Sequence, residues 1–377
     1  MPAALRFRLY PSKKQEARLL DTLNTCRHLW NGALSDRRRR WQDGRKSTSY
    51  NYQQALLTHE RRVNAELLQV YSQVAQDVLH RLDRSFKAFF RHQSRYPRFK
   101  RFSQSGSFAY PQAYNGSVKP DTLRKRLYLS KIGNVRTVFH RPIPKDSRLK
   151  TCTVVREPDG RWFAALVFEE IVPLQNICST IPAGVKMPIG VDLGLLSLIT
   201  TSDGETVEHP RFLRKAERRL KRLQRNLSHK KRGSKNRLKA RHCVASQHAR
   251  VRRQRLDFNH KLSARLVKKH NLIAFEDLRI RNMVKNHRLA KSIQDAAWGQ
   301  LVMLTEYKAL KAGSRVVKVP AAYSTQECCQ CGTLNKIELG VKEFVCICCG
   351  RTLERDHNAA SVVLKRGLTI AGRTAIR

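Results

Sequence analysis

Two short cysteine motifs near the end of the chain constrain its fold more than any other feature. Residues 328–332 and 346–350 both have the pattern CxxCG, and fourteen residues separate the two cysteine pairs. Such pairs are typical of a zinc ribbon, in which each pair forms a knuckle and the glycine lets the next backbone approach the sulfur atoms. Four thiolates in a tetrahedral array select zinc over hard cations. The sequence therefore predicts one structural Zn²⁺, bound by Cys328, Cys331, Cys346 and Cys349.

Two further cysteines leave other pairings open. Cys329 and Cys348 lie inside the same segment, but the glycines follow the outer pairs, which favours the four ligands named above. Buried free thiols and a redox-active CxxC pair are the alternatives. A disulfide framework is disfavoured because no secretory signal is visible at the start of the chain.

The balance of charges predicts a polyanionic partner. The chain has 377 residues, and its 75 Lys and Arg against 29 Asp and Glu give a net charge of +46. A free monomer with this charge repels itself strongly, so we expect nucleic acid as the partner that neutralises it. An anionic membrane surface is the weaker alternative. The sequence has no run of 18 apolar residues, so no membrane-spanning helix is predicted.

The positive charge is concentrated between residues 209 and 270. This region has 23 Lys and Arg against two carboxylates, Glu217 and Asp257. Its sparse apolar residues recur at helical spacing, which predicts two long basic helices broken near residues 232–234. A solvated surface explains polarity but not the excess of one sign, so we predict contacts with the nucleic-acid backbone. The residues predicted to make them are Arg218, Arg222, Arg225, Lys230 and Lys231.

The first half of the chain predicts a small β-barrel with a helical insertion. Residues 5–10 alternate as a strand does, and Ser12 with Gln15 forms a capping box that begins a helix ending in the basic run 37–40. Two more helices are predicted over 50–66 and 68–92. The remaining strands are predicted over residues 125–130, 135–139, 151–156 and 162–168, with a hairpin turn at 158–160.

The second half predicts a mixture of strands and helices after a linker at 171–187. Besides the basic helices, we expect a helix over 293–312, a helix from Asn358 to about Lys365, and a frayed tail at 367–377. The predicted strands cover residues 189–194, 195–201, 206–209, 271–275 and 315–319.

Three acidic residues stand out against apolar surroundings. Asp192 lies within an apolar strand, Glu276 ends a second one, and Asp356 precedes a helix. A buried lone carboxylate is costly unless it is paired or binds a metal. Carboxylates that hold two metal ions support phosphodiester hydrolysis. An N-cap role for Asp356 and a hairpin-edge position for Asp192 remain open alternatives.

In combination, these motifs resemble the TnpB (OrfB) family of insertion-sequence proteins, which is related to the type V CRISPR effectors. The resemblance covers most of the chain and keeps the order of the family's motifs, with a loose match over 94–170. The motifs that carry it are Ile189-Gly-Val-Asp192-Leu-Gly194, Ala274-Phe-Glu276-Asp-Leu278, Ser324-Thr-Gln, the two CxxCG pairs and Arg355-Asp356-His-Asn358-Ala-Ala360.

The resemblance implies an α/β multidomain fold. It implies a RuvC-like (RNase H fold) nuclease domain with a zinc-ribbon insertion, and an N-terminal OB-like β-barrel (wedge) with an inserted helical recognition lobe. The expected boundaries are 1–10 and 94–170 for the wedge, 11–93 for the recognition lobe, 171–187 for the linker, 188–322 and 351–366 for the nuclease domain, 323–350 for the ribbon and 367–377 for the tail.

The resemblance also implies a function. The family has a triad of acids that binds two Mg²⁺ ions, and it maps onto Asp192, Glu276 and Asp356. Proteins of the family cut double-stranded DNA that matches a transposon-derived guide RNA, beside a short adjacent motif. We expect one monomer per RNA and a cytoplasmic bacterial protein that associates with the nucleoid when it binds DNA. The alternatives are an RNA-guided binder without cleavage, a structural RNA-binding protein and a transposase that joins DNA ends.

To recognise the adjacent motif in the DNA, the protein needs side chains that hydrogen-bond to base edges. Glutamine amides can pair with an adenine edge, and serine can contact several bases. The polar faces of the helices over 50–92 carry such residues, in the place where related proteins face the DNA duplex. The residues predicted to read the motif are Tyr52, Ser72, Gln73 and Gln76.

Overall fold

The protein is described by a computed structural model in which the chain divides into two compact units, Met1–Leu174 and Gln175–Arg377. The predicted linker at 171–187 lies outside the described residues except for Met187, where a strand begins. No helix in the described part of the chain is long and apolar enough to cross a membrane. The structure describes residues 3–101, 106–144, 147–170, 187–337 and 341–375.

A seven-stranded antiparallel sheet forms the core of the first unit. Its hydrogen-bonding order is β2-β6-β7-β1-β5-β4-β3, so the N-terminal strand lies at the centre. The hairpin predicted at 158–160 is present and joins β6 to β7. That this sheet closes into a barrel stays a prediction. The strands are β1 (Ala3–Tyr10), β2 (Gly106–Tyr110), β3 (Val118–Asp121), β4 (Arg126–Leu129), β5 (Gly133–Val138), β6 (Ser147–Arg156) and β7 (Trp162–Glu170).

Four helices are inserted between β1 and β2, where the sequence predicts three, because the helix predicted over 50–66 is divided at Asn64, which caps the short third helix. The helices are α1 (Lys13–Gly44), α2 (Tyr50–Val63), α3 (Ala65–Gln69) and α4 (Ser72–Phe90). The predicted capping box is present, since Ser12 and Gln15 each accept a hydrogen bond from the other's backbone N–H. The prediction that α1 ends at residues 37–40 is wrong. Arg37 is buried against Gln53 and Asp83, which keeps the basic run helical until Arg45 adopts a left-handed conformation.

The second unit contains a five-stranded sheet of mixed direction in the order β10-β9-β8-β11-β12. β8, β11 and β12 run parallel to one another, whereas β9 and β10 are antiparallel to their neighbours. The strands are β8 (Met187–Asp192), β9 (Ser197–Thr201), β10 (Thr206–Glu208), β11 (His270–Glu276) and β12 (Arg315–Val319).

Two long basic helices, α5 (Phe212–Ser228) and α6 (Lys235–Lys269), separate β10 from β11. They break where the sequence predicts, because Gly233 takes a positive φ of 85° and the Ser234 side chain caps α6. The single helix predicted over 293–312 is wrong. Two helices, α8 (His287–Ala296) and α9 (Trp298–Lys311), follow the short helix α7 (Ile280–Met283), and they meet at Ala297, whose φ of 55° breaks the helical path.

The C-terminal helix is longer than the sequence predicts. A hairpin of β13 (Glu343–Val345) and β14 (Thr352–Glu354) leads directly into α10 (Arg355–Ala375). The expectation of a frayed tail at 367–377 is therefore wrong for residues 367–375. Ile370 and Ala371 pack on an apolar cluster that includes Leu272 and Val317, so the sheet holds the last turns of the helix.

Candidate metal centres

Two of the predicted acids lie side by side at one edge of the mixed sheet. Asp192 is the last residue of β8 and Glu276 is the last residue of β11. These strands are parallel, and Val191 pairs with Phe275, so both carboxylates follow at the same carboxyl end. Each is 7% exposed. The predicted strand over 189–194 ends earlier than expected, so Asp192 lies at the end of its strand, beside the end of β11, rather than within it.

The third acid is brought to this edge by the packing of α10. Asp356 is the second residue of this helix, which lies close against β8 and β11. A Cβ at Gly190 would lie 2.1 Å from the carbonyl oxygen of Ala360, and a Cβ at Gly367 would lie 2.5 Å from the Cβ of Ala274. Because both positions are glycine, the helix can approach the strands two residues before each strand-end acid.

The three carboxyl groups influence one another electrostatically. Burial, followed by the charges of Glu276 and Asp356, raises the pKa of the Asp192 carboxyl to about 8, while Arg355 opposes the rise. Burial also raises the pKa of Glu276, although a hydrogen bond from Ser324 and the charge of Arg366 oppose it. The Arg355 guanidinium lies 3.1 Å from Asp356 Oδ1. A cation between the three groups would remove the repulsion that raises these pKa values.

The donor set of this site fits Mg²⁺, because hard cations prefer carboxylate oxygens. The three acids do not form a tight single-ion cluster. Within the described residues, the group whose ligand atoms all lie within 4.8 Å of one another is the four cysteines. Two-metal sites hold their ions about 3.5–4 Å apart, so carboxylates that bind a pair of ions need not converge on one point.

The four predicted zinc ligands do come together. The Sγ atoms of Cys328 and Cys349 are 3.7 Å apart, and those of Cys331 and Cys346 are 3.5 Å apart. The glycines after the two pairs have φ values of 79° and 69°, and their N–H groups donate to the carbonyls of Cys328 and Cys346. The two knuckles thus have the same backbone hydrogen bonds, as two halves of a four-thiolate zinc site would.

The extra cysteines are not part of this cluster. Cys329 is half-buried, and its N–H donates to Asn358 Oδ1, while Cys348 is exposed. Hydrogen bonds with Thr333 lower the pKa of the Cys331 thiol to about 6, whereas, against a backbone hydrogen bond from Arg351, burial and hydrogen bonds with the other three cysteines raise the pKa of Cys349. The four sulfur atoms therefore share protons in the absence of a cation. The register that the glycines favoured therefore agrees with the geometry.

A segment between β12 and the first knuckle connects the two centres, and sequence reasoning assigned no role to it. Ser324 is buried, and its Oγ donates to Glu276 Oε1 at 2.5 Å.

The same segment is also held by α10. Asn358, fully buried on this helix, donates to the carbonyl of Glu327 at 2.7 Å and accepts from the N–H of Cys329 at 3.0 Å. Arg366 donates to the carbonyls of Pro320 and Ala322. We call residues 320–329 the strap. The sequence signals for it were Ser324 within the strap and Asn358 on α10, two polar residues that belong to the motifs of the family.

The residues predicted to read a DNA motif lie in the first unit. Ser72, Gln73 and Gln76 lie together at the start of α4. Gln73 is already engaged within the protein, since its Nε2 donates to Gln112 Oε1 at 2.6 Å and its Oε1 accepts from Asn115. Tyr52 lies apart from them on α2, with the Arg40 guanidinium 3.9 Å above its ring.

The residues predicted to contact the nucleic-acid backbone are all exposed. Arg218, Arg222 and Arg225 lie on α5 at helical spacing, so they share one face of that helix. Lys230 and Lys231 follow in the connection to α6, and the carbonyl of Lys230 accepts a hydrogen bond from Arg237. The structure therefore leaves all five cationic groups available to phosphates.

The fold of the chain is similar to that of a protein of known structure. The chain resembles the protein in the "Cryo-EM structure of the Cas12f1-sgRNA-target DNA complex" with a TM-score of 0.57 and 12% identity, over 96% of this chain and 98% of that chain. Family models described as "Probable transposase" and "Cas12f1-like, TNB domain" match residues 179–287 and 298–363. A third model, "Helix-turn-helix domain", matches residues 1–46, which form β1 and α1.

Two relatives match almost the whole sequence. A "Putative RNA-guided DNA endonuclease" of Streptomyces pristinaespiralis is 37% identical, over 97% of this chain and 89% of the relative. The "Putative RNA-guided DNA endonuclease InsQ" of Escherichia coli is 30% identical, over 97% of this chain and 92% of the relative. The protein belongs to the TnpB (OrfB) family, which is related to the type V CRISPR effectors.

Proposed function

We propose that this protein is an RNA-guided DNA endonuclease that hydrolyses phosphodiester bonds at the site of Asp192, Glu276 and Asp356. Its guide RNA comes from the transposon end, and it cuts matching double-stranded DNA beside a short adjacent motif. The observation that carries the proposal is the convergence of three buried or half-buried carboxyl groups from β8, β11 and α10. The names of the two long relatives support the same activity.

The domain assignment follows from this proposal. The mixed sheet, with β10-β9-β8 antiparallel and β8-β11-β12 parallel, supports a RuvC-like nuclease domain of RNase H fold. The paired knuckles support a zinc ribbon within it. The seven-stranded sheet of the first unit supports an OB-like wedge domain, and α1–α4 support the inserted recognition lobe.

The residues of the site would act by binding metal ions and by keeping the carboxylates that bind them in position. Asp192, Glu276 and Asp356 would hold two Mg²⁺ ions across the scissile phosphate. When bound, such ions supply an activated water and stabilise the leaving oxygen. Ser324 orients Glu276 through its hydroxyl, and the burial of the strand-end acids excludes competing solvent. The four cysteines would hold one Zn²⁺, which fixes the ribbon rather than taking part in the reaction.

The activity can be tested with purified protein, RNA transcribed from the transposon end and a plasmid carrying the matching sequence. We expect cutting only with protein, RNA and Mg²⁺ together. Asp192→Ala, Glu276→Ala and Asp356→Ala should each abolish cutting while RNA binding persists, because the basic surface is unchanged. Near-normal cutting by Asp192→Ala would contradict the site. Intact RNA-dependent DNA binding without cutting by the wild-type protein would favour the alternative, a guided DNA-binding protein.

A further inference from the structure

A groove in the first unit is not used by the site described above. The end of α1, the end of α4 and the segments 46–48 and 96–99 enclose two adjoining cavities of about 480 and 380 Å³. Arg38 and Tyr96 line both cavities, so they form a shared wall. We call this feature the aromatic groove.

The floor of the aromatic groove is built from packed aromatic rings. Tyr96 meets Phe86 and Phe89 edge to face, with ring centroids 5.5 and 5.3 Å apart. Phe90 packs beside both phenylalanines, yet it is 70% exposed, and Trp41 on α1 is 52% exposed. Rings that are fixed on one side and open on the other form a platform on which another flat ring can stack.

The rim of the groove is basic. Arg37, Arg38, Lys46 and Arg98 line the two cavities, and no carboxylate of the described residues lines either one. The Arg37 charge is balanced by Asp83 behind it, which leaves Arg38, Lys46 and Arg98 as the cations of the rim. The hydroxyl of Thr48, also in the lining, has no hydrogen-bond partner among the described residues.

This combination selects one kind of partner. Aromatic platforms beside a line of cations bind single-stranded nucleic acid, since bases stack on the rings while the phosphates meet the cations. A duplex hides the faces of its bases and cannot use the platform. An apolar peptide could cover the rings, but it would leave the cationic rim without a counter-charge.

We infer that the aromatic groove binds unpaired nucleotides of the guide RNA, with at least one base stacked on Trp41 or Phe90. The choice of RNA over DNA rests on the proposed function. A guide RNA is bound to the protein before the complex encounters target DNA. Because it stays bound, it covers the exposed aromatic patch, which would otherwise favour aggregation. A transient DNA strand would leave the patch open for most of the time.

The tryptophans provide a local reporter of this groove. All four lie in the described part of the chain, and Trp30, Trp162 and Trp298 are buried at 7%, 2% and 2% exposure, whereas Trp41 is 52% exposed. Quenching of tryptophan fluorescence by acrylamide therefore reports mainly on Trp41. We would measure it on the full-length protein with transposon-end RNA, a twelve-nucleotide oligouridine RNA, the matching oligothymidine DNA and a twelve-base-pair RNA duplex.

The transposon-end RNA and the oligouridine RNA should both protect Trp41 from acrylamide, and the RNA duplex should not. Phe90→Ala should weaken oligouridine binding about 5- to 150-fold, the range for the loss of one base–aromatic stack. The dependence of binding on salt should stay the same, because no phosphate contact is lost. Tyr114→Ala is the matched control, since Tyr114 is an exposed aromatic of the same unit, with Arg148 over its ring, outside the groove. It should bind as the wild type does.

The outcomes separate this inference from the proposed function. Saturating transposon-end RNA that leaves Trp41 fully open to acrylamide would overturn the inference, even if guided cutting is normal. Stronger protection by oligothymidine than by RNA would overturn the choice of RNA, and protection that rises with protein concentration alone would assign the groove to a second copy. Protection by RNA without any guided cutting would retain the groove and contradict the proposed function.

Discussion

Asp192 is a residue whose function opposes its contribution to stability. It is buried beside two other acids, so its pKa is raised to about 8 in the metal-free fold. A carboxyl whose pKa is higher in the folded than in the unfolded state stabilises the fold fully only below the unfolded value. Its contribution is lost as the pH rises from about 4 towards 8. Bound cations would reverse this loss.

We therefore predict that Asp192→Asn stabilises the metal-free protein while it abolishes cutting. At pH 8 the unfolding midpoint should rise by at least about 2–4 °C, which is the shift that 1 kcal/mol produces in a unit of this size. The gain should shrink at pH 5 and in saturating Mg²⁺. Thermal unfolding at both pH values measures it, with Asp257→Asn as the control, because Asp257 is exposed and pairs with Lys261. An unchanged or lowered midpoint at pH 8 would contradict the electrostatic account.

The glutamines predicted to read the adjacent motif differ in their contacts within the protein. Gln76 is half-buried at the start of α4, whereas the Gln73 amide is held by Gln112 and Asn115. We predict that Gln76→Ala changes the preferred adjacent motif or weakens DNA binding by roughly 1–3 kcal/mol. Gln73→Ala should do the same while also releasing Gln112. A cleavage library with randomised flanks measures both variants.

Arg222→Ala is the contrasting variant for this library. Arg222 is exposed on α5, so its loss should weaken binding to all motifs equally and lower the salt dependence. A motif profile and cutting rate that both glutamine variants leave unchanged would move motif reading away from α4, towards the sheet between residues 94 and 170.

Among the elements, the strap connects the ribbon to the acids. We predict that Cys331→Ser loses zinc and lowers cutting indirectly, because the strap then no longer holds Glu276 and α10. Asn358→Ala should lower cutting while one zinc per chain remains, since it removes only the contacts to Glu327 and Cys329. Elemental analysis beside a cutting assay distinguishes the two. Zinc-free protein that cuts at the normal rate would refute this role of the ribbon.

The packing of α10 makes a second prediction at this scale. Gly367→Ala places a Cβ against Ala274, so the helix must shift away from β11 and carry Asp356 with it. We expect a loss of about 1–3 kcal/mol in the free energy of unfolding, together with slower cutting. Gly372→Ala is the matched control, because nothing lies within 4 Å of the added Cβ. Equal stability of the two variants would show that the close approach is not needed.

The sequence predicted local features of these elements well. The break at Gly233, the capping box at Ser12 and the acid at the end of β11 all depend on residues close in the chain. The last turns of α10 were missed because a distant contact decides them, and the break at Ala297 was missed because that residue is neither glycine nor proline. Ile370 and Ala371 pack on the cluster that includes Leu272 and Val317, and the residues near them in the chain do not predict this contact.

At the scale of the whole molecule, the net charge of +46 is the dominant property. It requires a partner with many phosphates, and a guide RNA paired to target DNA would supply them. In such systems base pairing reads most of the target, so the protein needs base contacts only for the adjacent motif. The exposed basic residues belong to α5 and the few polar side chains belong to α4, so different elements carry the two kinds of residue that this division needs.

The most direct test of RNA guidance is to change the guide. RNA that co-purifies with the protein would be sequenced, its target-pairing segment replaced, and the reconstituted complex given a plasmid library that contains both the old and the new matching sites. If RNA guides the protein, cutting moves to the new site, still beside the same adjacent motif, and disappears in Asp192→Ala. Cutting that stays at the old site, or that ignores the RNA sequence, would contradict RNA guidance.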